Sequence, residues 1–156
     1  MDKKYYAELV SKYIDNIYRV ALNSCSCRED AEDATQNAFM KLLNCDKEFK
    51  TDEDVKRWLI RVVINECHNI FRSSWNKKTI SLEEITVENG CAMTDNIELF
   101  DILQKLPANY RQILYLYYFE EYSIKEISKI TGKSESGIQN TLMRARKCFK
   151  EKYKEA

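Results

Sequence analysis

Residues 122–146, YSIKEISKITGKSESGIQNTLMRAR, constrain the fold most strongly, because they mark the start of two helices and the turn between them. Ser123, followed three residues later by Glu126, is a capping box and predicts a helix start. Gly132 lies in a short turn, and Ser134 is a favourable N-cap for a second helix. The stretch therefore predicts a helix-turn-helix, a motif that places its second helix in the major groove of DNA.

The second helix of this motif has an apolar face and a polar face. If Ile138 faces the core, steps of about 100° per residue place Leu142 and Ala145 beside it. The side chains that we then expect to contact bases or phosphates are Ser136, Gln139, Asn140, Met143, Arg144, Arg146 and Lys147. A helical hairpin with a merely solvated outer face is the alternative. The coincidence of caps, glycine turn, core spacing and a basic end favours DNA binding.

The first eighty residues also predict helices, because all three glycines and the only proline occur at or after Gly90. Ser26 with Glu29, and Thr51 with Asp54, have the spacing of helix starts. The second of these opens the longest predicted helix, over about residues 54–74. A first amphipathic helix is expected to bury Tyr6, Val10, Tyr13, Ile14, Ile17, Tyr18 and Ala21.

The longest predicted helix is apolar over about two thirds of its circumference, up to and including Phe71. Glu66 falls inside this apolar arc, and the sequence offers no reason for it. The remaining stripe is basic, rich in amides and edged by an aromatic ring, and consists of Arg57, Trp58, Arg61, Asn65, Asn69 and Arg72. A solvated helix face is the alternative, but this combination is typical of surfaces that hold single-stranded bases.

Charge divides the chain into blocks although its net charge is zero, with 25 basic and 25 acidic residues. Residues 56–80 hold 6 basic residues and one acidic residue, and residues 125–154 hold 9 basic and 3 acidic residues. Between them, residues 81–101 carry 6 acidic residues and no basic one. We therefore expect an all-α chain with two small helical domains, residues 1–78 and 95–156, joined by an acidic linker over residues 79–94.

Several classes of protein are disfavoured. The sequence has no apolar run that could span a bilayer and no signal peptide, so we expect a cytoplasmic protein without membrane insertion. Its six cysteines include no C-x-x-C pair, and we expect reduced thiols and no metal site. One histidine and no glycine-rich phosphate loop argue against an enzyme, so no catalytic residue and no cofactor are predicted.

Two segments in this order resemble a known family. IYRVALNSCSCREDAEDATQNAFMKLL followed by VKRWLIRVVINECHNIFRS is similar to region 2 of the bacterial sigma-70 family, in its extracytoplasmic-function (ECF) group. LQKLPANYRQILYLYYFEEYSIKEISKITGKSESGIQNTLMRARKCFK is similar to region 4 of the same group. The resemblance covers nearly the whole chain except the linker.

The resemblance implies a sigma factor that binds core RNA polymerase and directs promoter-specific initiation. It implies that region 2 docks on the β′ clamp helices through Asp30, Asp33, Gln36 and Phe39. It also implies that the loop over residues 44–51 and the stripe of the third helix hold the melted −10 element. The second helix of the helix-turn-helix would read the −35 element, and the outer helices of its domain would meet the β flap. Core RNA polymerase, promoter DNA and an anti-sigma factor are the implied partners.

Two other functions remain open at this point. A helix-turn-helix regulator that acts without polymerase docking would explain the C-terminal half, but it would need a dimer interface or a ligand pocket in the first half. A protein-only regulator of polymerase would explain the acidic second helix. Specific transcription by core polymerase with this protein distinguishes the three functions.

Overall fold

Helices make up both parts of the chain that the computed structural model describes, residues 1–77 and 97–155. The backbone divides into two units, Met1–Ile85 and Thr86–Ala156. The first contains α1 (Lys3–Leu22), α2 (Arg28–Leu43) and α3 (Asp52–Lys77). The second contains α4 (Ile97–Gln104), α5 (Ala108–Leu114) with a π-helical turn (Tyr115–Phe119), α6 (Ile124–Thr131) and α7 (Glu135–Glu155). No strand occurs in these residues, so the predicted all-α class is confirmed. The predicted linker, residues 79–94, lies outside the described residues.

The first unit is a bundle in which α1, α2 and α3 all pack against one another. Ala31, Ala34 and Ala38 of α2 are fully buried, and small side chains at this spacing let the neighbouring helices approach closely. Leu59 and Ile60 of α3, the helix that packs against α2, are fully buried as well. The core of this unit therefore lies along one face of α2.

Helix starts in the first unit partly follow the predicted caps. Thr51 accepts a hydrogen bond from the backbone N–H of Asp54 at 3.2 Å, and α3 begins at Asp52, two residues before the predicted start. The predicted cap at Ser26 is wrong by one residue. Cys27 is the N-cap of α2, with an extended backbone and no side-chain capping bond.

Two apolar residues that were expected in the core are exposed. Ile14 of α1 is 41% exposed, because the buried face of that helix is rotated toward Leu9 and Val20. Phe71 of α3 is 55% exposed, whereas Ile64 and Cys67, earlier on the same helix, are buried. The apolar arc of α3 is therefore buried only as far as Cys67.

The second unit confirms the predicted helix-turn-helix. The Ser123 hydroxyl oxygen accepts a hydrogen bond from the Glu126 N–H at 3.1 Å, and α6 begins at Ile124. Gly132 ends α6 in the left-handed region at φ 75°, where a residue without a Cβ is least strained. The Ser134 hydroxyl oxygen then accepts a hydrogen bond from the Gly137 N–H at 3.0 Å at the start of α7.

The helix before this motif, α5, begins after Pro107, which is its N-cap. A buried arginine, Arg111, lies in α5 and donates from Nη1 to the side-chain oxygen of Gln104 at 3.0 Å, which links α5 to α4. None of the described helices contains an apolar stretch long enough to cross a bilayer.

Candidate nucleic-acid interface

The outward face of α7 presents most of the side chains that the sequence predicts for DNA contact. Ile138, Leu142 and Ala145 are buried and hold the opposite face of the helix on its unit. The exposed residues are Ser136, Gln139, Asn140, Met143, Arg144 and Lys147. Since α7 is anchored by its apolar face, these six side chains lie together on its exposed side and form a mostly polar surface, here called the α7 face.

Arg146 is exposed but differs from the α7 face in its contacts. Its Nε donates a hydrogen bond to the Tyr118 hydroxyl oxygen at 2.6 Å. The guanidinium carbon lies 5.3 Å from the ring centroid of Tyr117 and 5.6 Å from that of Tyr118. Arg146 is therefore held on the π-helical turn at the boundary between the α7 face and the core. This contact was not predicted from the sequence, where the adjacent tyrosines Tyr117 and Tyr118 were the available signal.

The basic stripe of α3 is arranged as the helical wheel predicted. Arg57, Arg61, Asn65, Asn69 and Arg72 are all exposed along one side of the helix. They are spaced three to four residues apart, so their head groups follow one another along about four turns. This row, together with the half-buried Trp58, is called the α3 stripe below.

Trp58 is fixed by the segment that precedes α3. Its ring packs edge-on against Phe49, with the centroids 5.7 Å apart and an interplanar angle of 68°. Edge-to-face packing of this kind restricts both rings. The resemblance had already associated residues 44–51 with the −10 element, and this segment contributes the ring of Phe49 at the start of the α3 stripe. The contact between Phe49 and Trp58 was not predicted.

The start of α3 is fastened to α1 by Asp52. Its carboxylate accepts hydrogen bonds from the Tyr5 hydroxyl at 3.0 Å and from Lys12 Nζ at 3.1 Å. Both bonds lower the pKa of the Asp52 carboxyl below its ordinary value, and the bond from Lys12 has the larger effect. The hydrogen bond to Asp52 in turn raises the pKa of Lys12 and the pKa of Tyr5. The junction fixes the end of α3 from which the stripe begins.

Glu66, which the sequence left unexplained, faces α2. Its side chain is 10% exposed and forms an ion pair with Lys41. Asn37 Nδ2 donates to the other carboxylate oxygen at 3.4 Å. A cation and an amide of α2 therefore act as the hydrogen-bonding partners of this buried acceptor.

Four residues of α2 were assigned to polymerase docking, and two of them are exposed on the polar side of the helix. Asp33 and Gln36 are exposed, and Asp30 is half-buried. The assignment of Phe39 is corrected, because its side chain is only 5% exposed and belongs to the core. Phe39 lies four residues after the buried Thr35, on the inward face of α2.

The α7 face and the α3 stripe belong to different units, and each is complete within its own unit. The α3 stripe offers guanidinium and amide groups, and the α7 face offers guanidinium, ammonium and amide groups. Such groups can bind phosphates and base edges. Among residues 1–77 and 97–155, no three histidine, cysteine, aspartate or glutamate side chains converge as metal ligands. Both surfaces therefore carry groups of the kind that can bind a nucleic acid.

Family models match both units. Residues 9–77 match Sigma-70 region 2, and residues 97–149 match Sigma-70, region 4. The first match includes the whole α3 stripe, and the second includes the whole α7 face. The two matches occur in the order that the sequence analysis expected.

Individual relatives are similar over most of the chain. The ECF RNA polymerase sigma factor SigM of Bacillus subtilis is 31% identical over 153 residues, which cover 94% of this chain and 93% of the relative. The RNA polymerase sigma factor SigV of the same organism is 24% identical over 145 residues, covering 90% and 86%. Among solved structures, the sigma factor RpoE of Bartonella quintana, crystallised in complex with the anti-sigma factor NepR, has a similar fold. Its TM-score is 0.78 at 20% identity, covering 97% of this chain and 98% of that one. The chain therefore belongs to the sigma-70 family of RNA polymerase sigma factors, in the extracytoplasmic-function group.

Proposed function

We propose that this sigma factor uses the α3 stripe to hold the melted −10 element and the α7 face to read the −35 element. As a member of its family, the chain binds core RNA polymerase and directs promoter-specific transcription initiation. Sigma factors are initiation factors rather than enzymes, and we propose no catalytic role for this chain. The observation that carries the proposal is the pair of exposed amides, Gln139 and Asn140, on the α7 face.

The amide pair lies at the position where a docked helix reaches bases. Gln139 and Asn140 follow the capped first turn of α7 and point away from Ile138 and Leu142, which are buried. In the major groove, an amide side chain can accept a hydrogen bond from N6 of adenine and donate one to N7 of the same base. We therefore assign adenine recognition in the −35 element to this pair.

Other residues of the α7 face have different roles in the proposal. Met143 is 63% exposed, and an apolar side chain at that place can contact a thymine methyl group. Arg144 and Lys147 lie further along α7, where phosphates are the expected partners. Ser136, near the helix start, can bond to either a base or a phosphate.

The α3 stripe suits a single strand better than a duplex. Its arginines offer charge to the backbone, while Asn65 and Asn69 offer amides to base edges that are exposed only after melting. Trp58 provides a ring on which an unstacked base can stack. Capture of unstacked bases costs a few kcal/mol per base, which polymerase binding must offset.

Polymerase docking is assigned to the exposed acidic side of α2. Asp33 and Gln36, with Asp30 at the edge, make a surface that repels phosphate and suits a basic protein partner. We propose that this surface meets the β′ clamp helices and that the second unit meets the β flap. Since RpoE of Bartonella quintana was solved with an anti-sigma factor, we also propose an anti-sigma partner for this chain. The assigned location is the cytoplasm, where polymerase acts.

Transcription and promoter selection test the proposal together. Core polymerase with this protein should transcribe specifically from promoters selected from a library randomised in the −35 and −10 elements. Gln139→Ala and Asn140→Ala should relax the base preference at one or more −35 positions. At each such position the variant should lose about 1–3 kcal/mol of discrimination between the preferred base and the others. Arg144→Ala is the matched control on the same face and should weaken all sequences alike.

Two results would contradict the proposal. If neither amide variant relaxes preference at any base, Gln139 and Asn140 do not read sequence. If the isolated chain binds a specific duplex with nanomolar affinity at physiological salt, it acts as a conventional regulator, since small modules with zero net charge should bind duplex weakly without polymerase.

A further inference from the structure

Two cysteines that are distant in sequence meet inside the first unit. Cys25 lies in the turn between α1 and α2, and Cys67 lies in α3. Their Sγ atoms are 2.6 Å apart, and the residues are 5% and 2% exposed. Two sulfur atoms that are not bonded to each other do not normally approach so closely, so the backbone presents the two thiols directly to one another.

The backbone around the pair holds both cysteines at one carbonyl group. The Ala21 carbonyl oxygen accepts a hydrogen bond from the Cys25 N–H at 2.9 Å and lies 3.9 Å from Cys67 Sγ. Ala21 itself is fully buried. The position of the pair is therefore set by the packing of the end of α1 against α3.

We propose that Cys25 and Cys67 form a reversible oxidation site, at which hydrogen peroxide converts the two thiols into an intramolecular disulfide that ties the turn before α2 to α3. A disulfide places its sulfurs about 2.05 Å apart, so bond formation needs little movement from the present arrangement. The pair is independent of the DNA-binding residues, and the inference goes beyond the proposed function.

The chemistry balances with one hydrogen peroxide per pair. The thiolate sulfur of Cys25, the more exposed of the two, attacks one peroxide oxygen, the O–O bond breaks, and a sulfenic acid and one water form once the thiol proton is transferred. The Cys67 sulfur then attacks the Cys25 sulfur, the S–O bond breaks, and the hydroxyl leaves as a second water with the Cys67 proton. Two thiols are oxidised by two electrons in total, and one hydrogen peroxide is reduced to two waters.

The neighbouring Cys27 is a poorer competitor for the same chemistry. Its backbone is extended at the start of α2, and Cys67 Sγ is already paired with Cys25 Sγ at 2.6 Å. Its side chain also lies at the N-cap of α2, two residues from Cys25. Cross-linking of residues so close in sequence demands a strained ring, whereas Cys67 already faces Cys25.

The bond should leave both DNA-binding surfaces unchanged. Cys67 is buried, whereas Arg61 and Asn65 of the α3 stripe are exposed on the other side of the helix. The oxidised protein should therefore keep specific transcription with core polymerase. The first unit of the oxidised protein should also be more stable against unfolding, because the cross-link closes a loop of about forty residues and restricts the unfolded chain.

Peptide mass mapping of the intact chain tests the proposal. The reduced protein is treated with hydrogen peroxide at one equivalent, then digested without reductant. We expect a linked pair of peptides that contains Cys25 and Cys67, and a fall in titratable thiols from six to four, since the chain has six cysteines. Dithiothreitol should restore all six. The unfolding midpoint of the first unit should rise on the order of 10 °C on oxidation.

Variants separate this site from the other cysteines. Cys67→Ser should abolish both the linked peptide and the rise in midpoint, while Cys148→Ser, in the second unit, should preserve both. A wild-type protein that keeps six thiols at this dose, that links Cys25 to Cys27, or that forms only sulfinic acid or intermolecular bonds would overturn the proposal. Because the mapping is done on the wild-type chain, its outcome does not depend on whether a variant folds.

Discussion

The Nε of Arg146 lies 2.6 Å from the hydroxyl oxygen of Tyr118, so an arginine of α7 is hydrogen-bonded to the π-helical turn of its own unit. Its guanidinium group also lies over two tyrosine rings. Arg146 therefore contributes to the stability of the second unit as well as to its positive charge. Arg144, two residues earlier and on the α7 face, offers a matched comparison.

Arg146→Ala should destabilise the second unit by about 1–2 kcal/mol, because it removes one hydrogen bond and a cation–π contact. Arg144→Ala should change stability by less than about 0.5 kcal/mol, as is usual for an exposed residue. Amide hydrogen exchange of α7 in the intact chain measures both changes locally. Equal protection of α7 in the two variants would show that the tyrosine contacts carry no net energy.

Lys41→Met should destabilise the first unit, because it removes the cation that faces the Glu66 carboxylate. Of the two described partners on α2, Asn37 alone then remains. We expect the free energy of unfolding to fall by about 1–2 kcal/mol. This is low for the loss of a partner by a buried acceptor, because the Lys41 side chain is 57% exposed and solvent screens its charge. Denaturant unfolding followed by tryptophan fluorescence measures it. Lys50→Met, elsewhere in the same unit, is the control.

The double variant Lys41→Met/Glu66→Gln should recover part of that loss. A neutral amide at position 66 no longer needs a cation and can still bond to Asn37. If the double variant is no more stable than Lys41→Met alone, the lysine acts through packing of its carbon chain and not through its charge.

Arg61→Ala and Asn65→Ala should impair open-complex formation more than closed-complex binding, because the α3 stripe is assigned to melted DNA. Permanganate footprinting detects melting, and gel retardation of the closed complex at low temperature measures initial binding. A promoter with a pre-melted bubble should restore part of the activity. Lys3→Ala, at the exposed start of α1, should behave as wild type, and failure of the bubble to help the stripe variants would mean that the stripe has another role.

Asp33→Lys should weaken binding to core polymerase at least about tenfold while leaving the fold intact, since it reverses a charge at the assigned docking surface. Binding competition with another sigma factor for core polymerase measures the change. Glu8→Lys, an equal charge change on the exposed side of α1, should have a much smaller effect. Unchanged competition by Asp33→Lys would remove α2 from the docking surface.

The junction between Asp52, Lys12 and Tyr5 predicts a pH dependence of stability. Because the pKa of Asp52 is lowered in the folded chain, its stabilising effect is present above the pKa of an unfolded aspartate, near about 4. The effect is lost as pH falls through the lower folded pKa. The stability difference between wild type and Asp52→Asn should therefore be present at pH 7, shrink as pH falls below the pKa of an unfolded aspartate and vanish below the lowered folded pKa.

The size of this difference should be small, since the junction is exposed and screened by solvent. Glu53→Gln is a suitable control, because it removes the same charge from the same helical turn and its described ion pair, with Arg57, lies within α3. A pH profile of Asp52→Asn that runs parallel to that of wild type down to about pH 2 would show that the bonds from α1 do not favour the charged carboxylate.

Local sequence signals predicted the second unit better than the first. Ser123, Gly132 and Ser134 each act on backbone groups within a few residues, so their effect does not depend on the rest of the fold. The Ser26 signal failed because Cys27, one residue later, takes the N-cap position without any capping side chain. Where the turn between helices is set by packing, a cap pattern alone misplaces the boundary.

Periodicity predicted which residues share a helix face, but not how far a neighbour covers that face. It placed the α3 stripe and the α7 face on the exposed sides of their helices, because side-chain direction follows from 3.6 residues per turn. Phe71 and Ile14 were assigned to the core and Phe39 to the surface, and all three assignments were wrong. The limits of a buried face depend on where the next helix crosses it.

By itself, the sequence determined the helical class, the helix-turn-helix and the two polar surfaces, since hydrogen-bonding caps and helical periodicity are properties of short segments. Only the tertiary structure decided the pairs between distant segments: Lys41 with Glu66, Arg146 with Tyr118, and Cys25 with Cys67. Such pairs arise when packing brings two helices together, and their spacing along the chain, 28 residues for the second pair and 42 for the third, follows no local period.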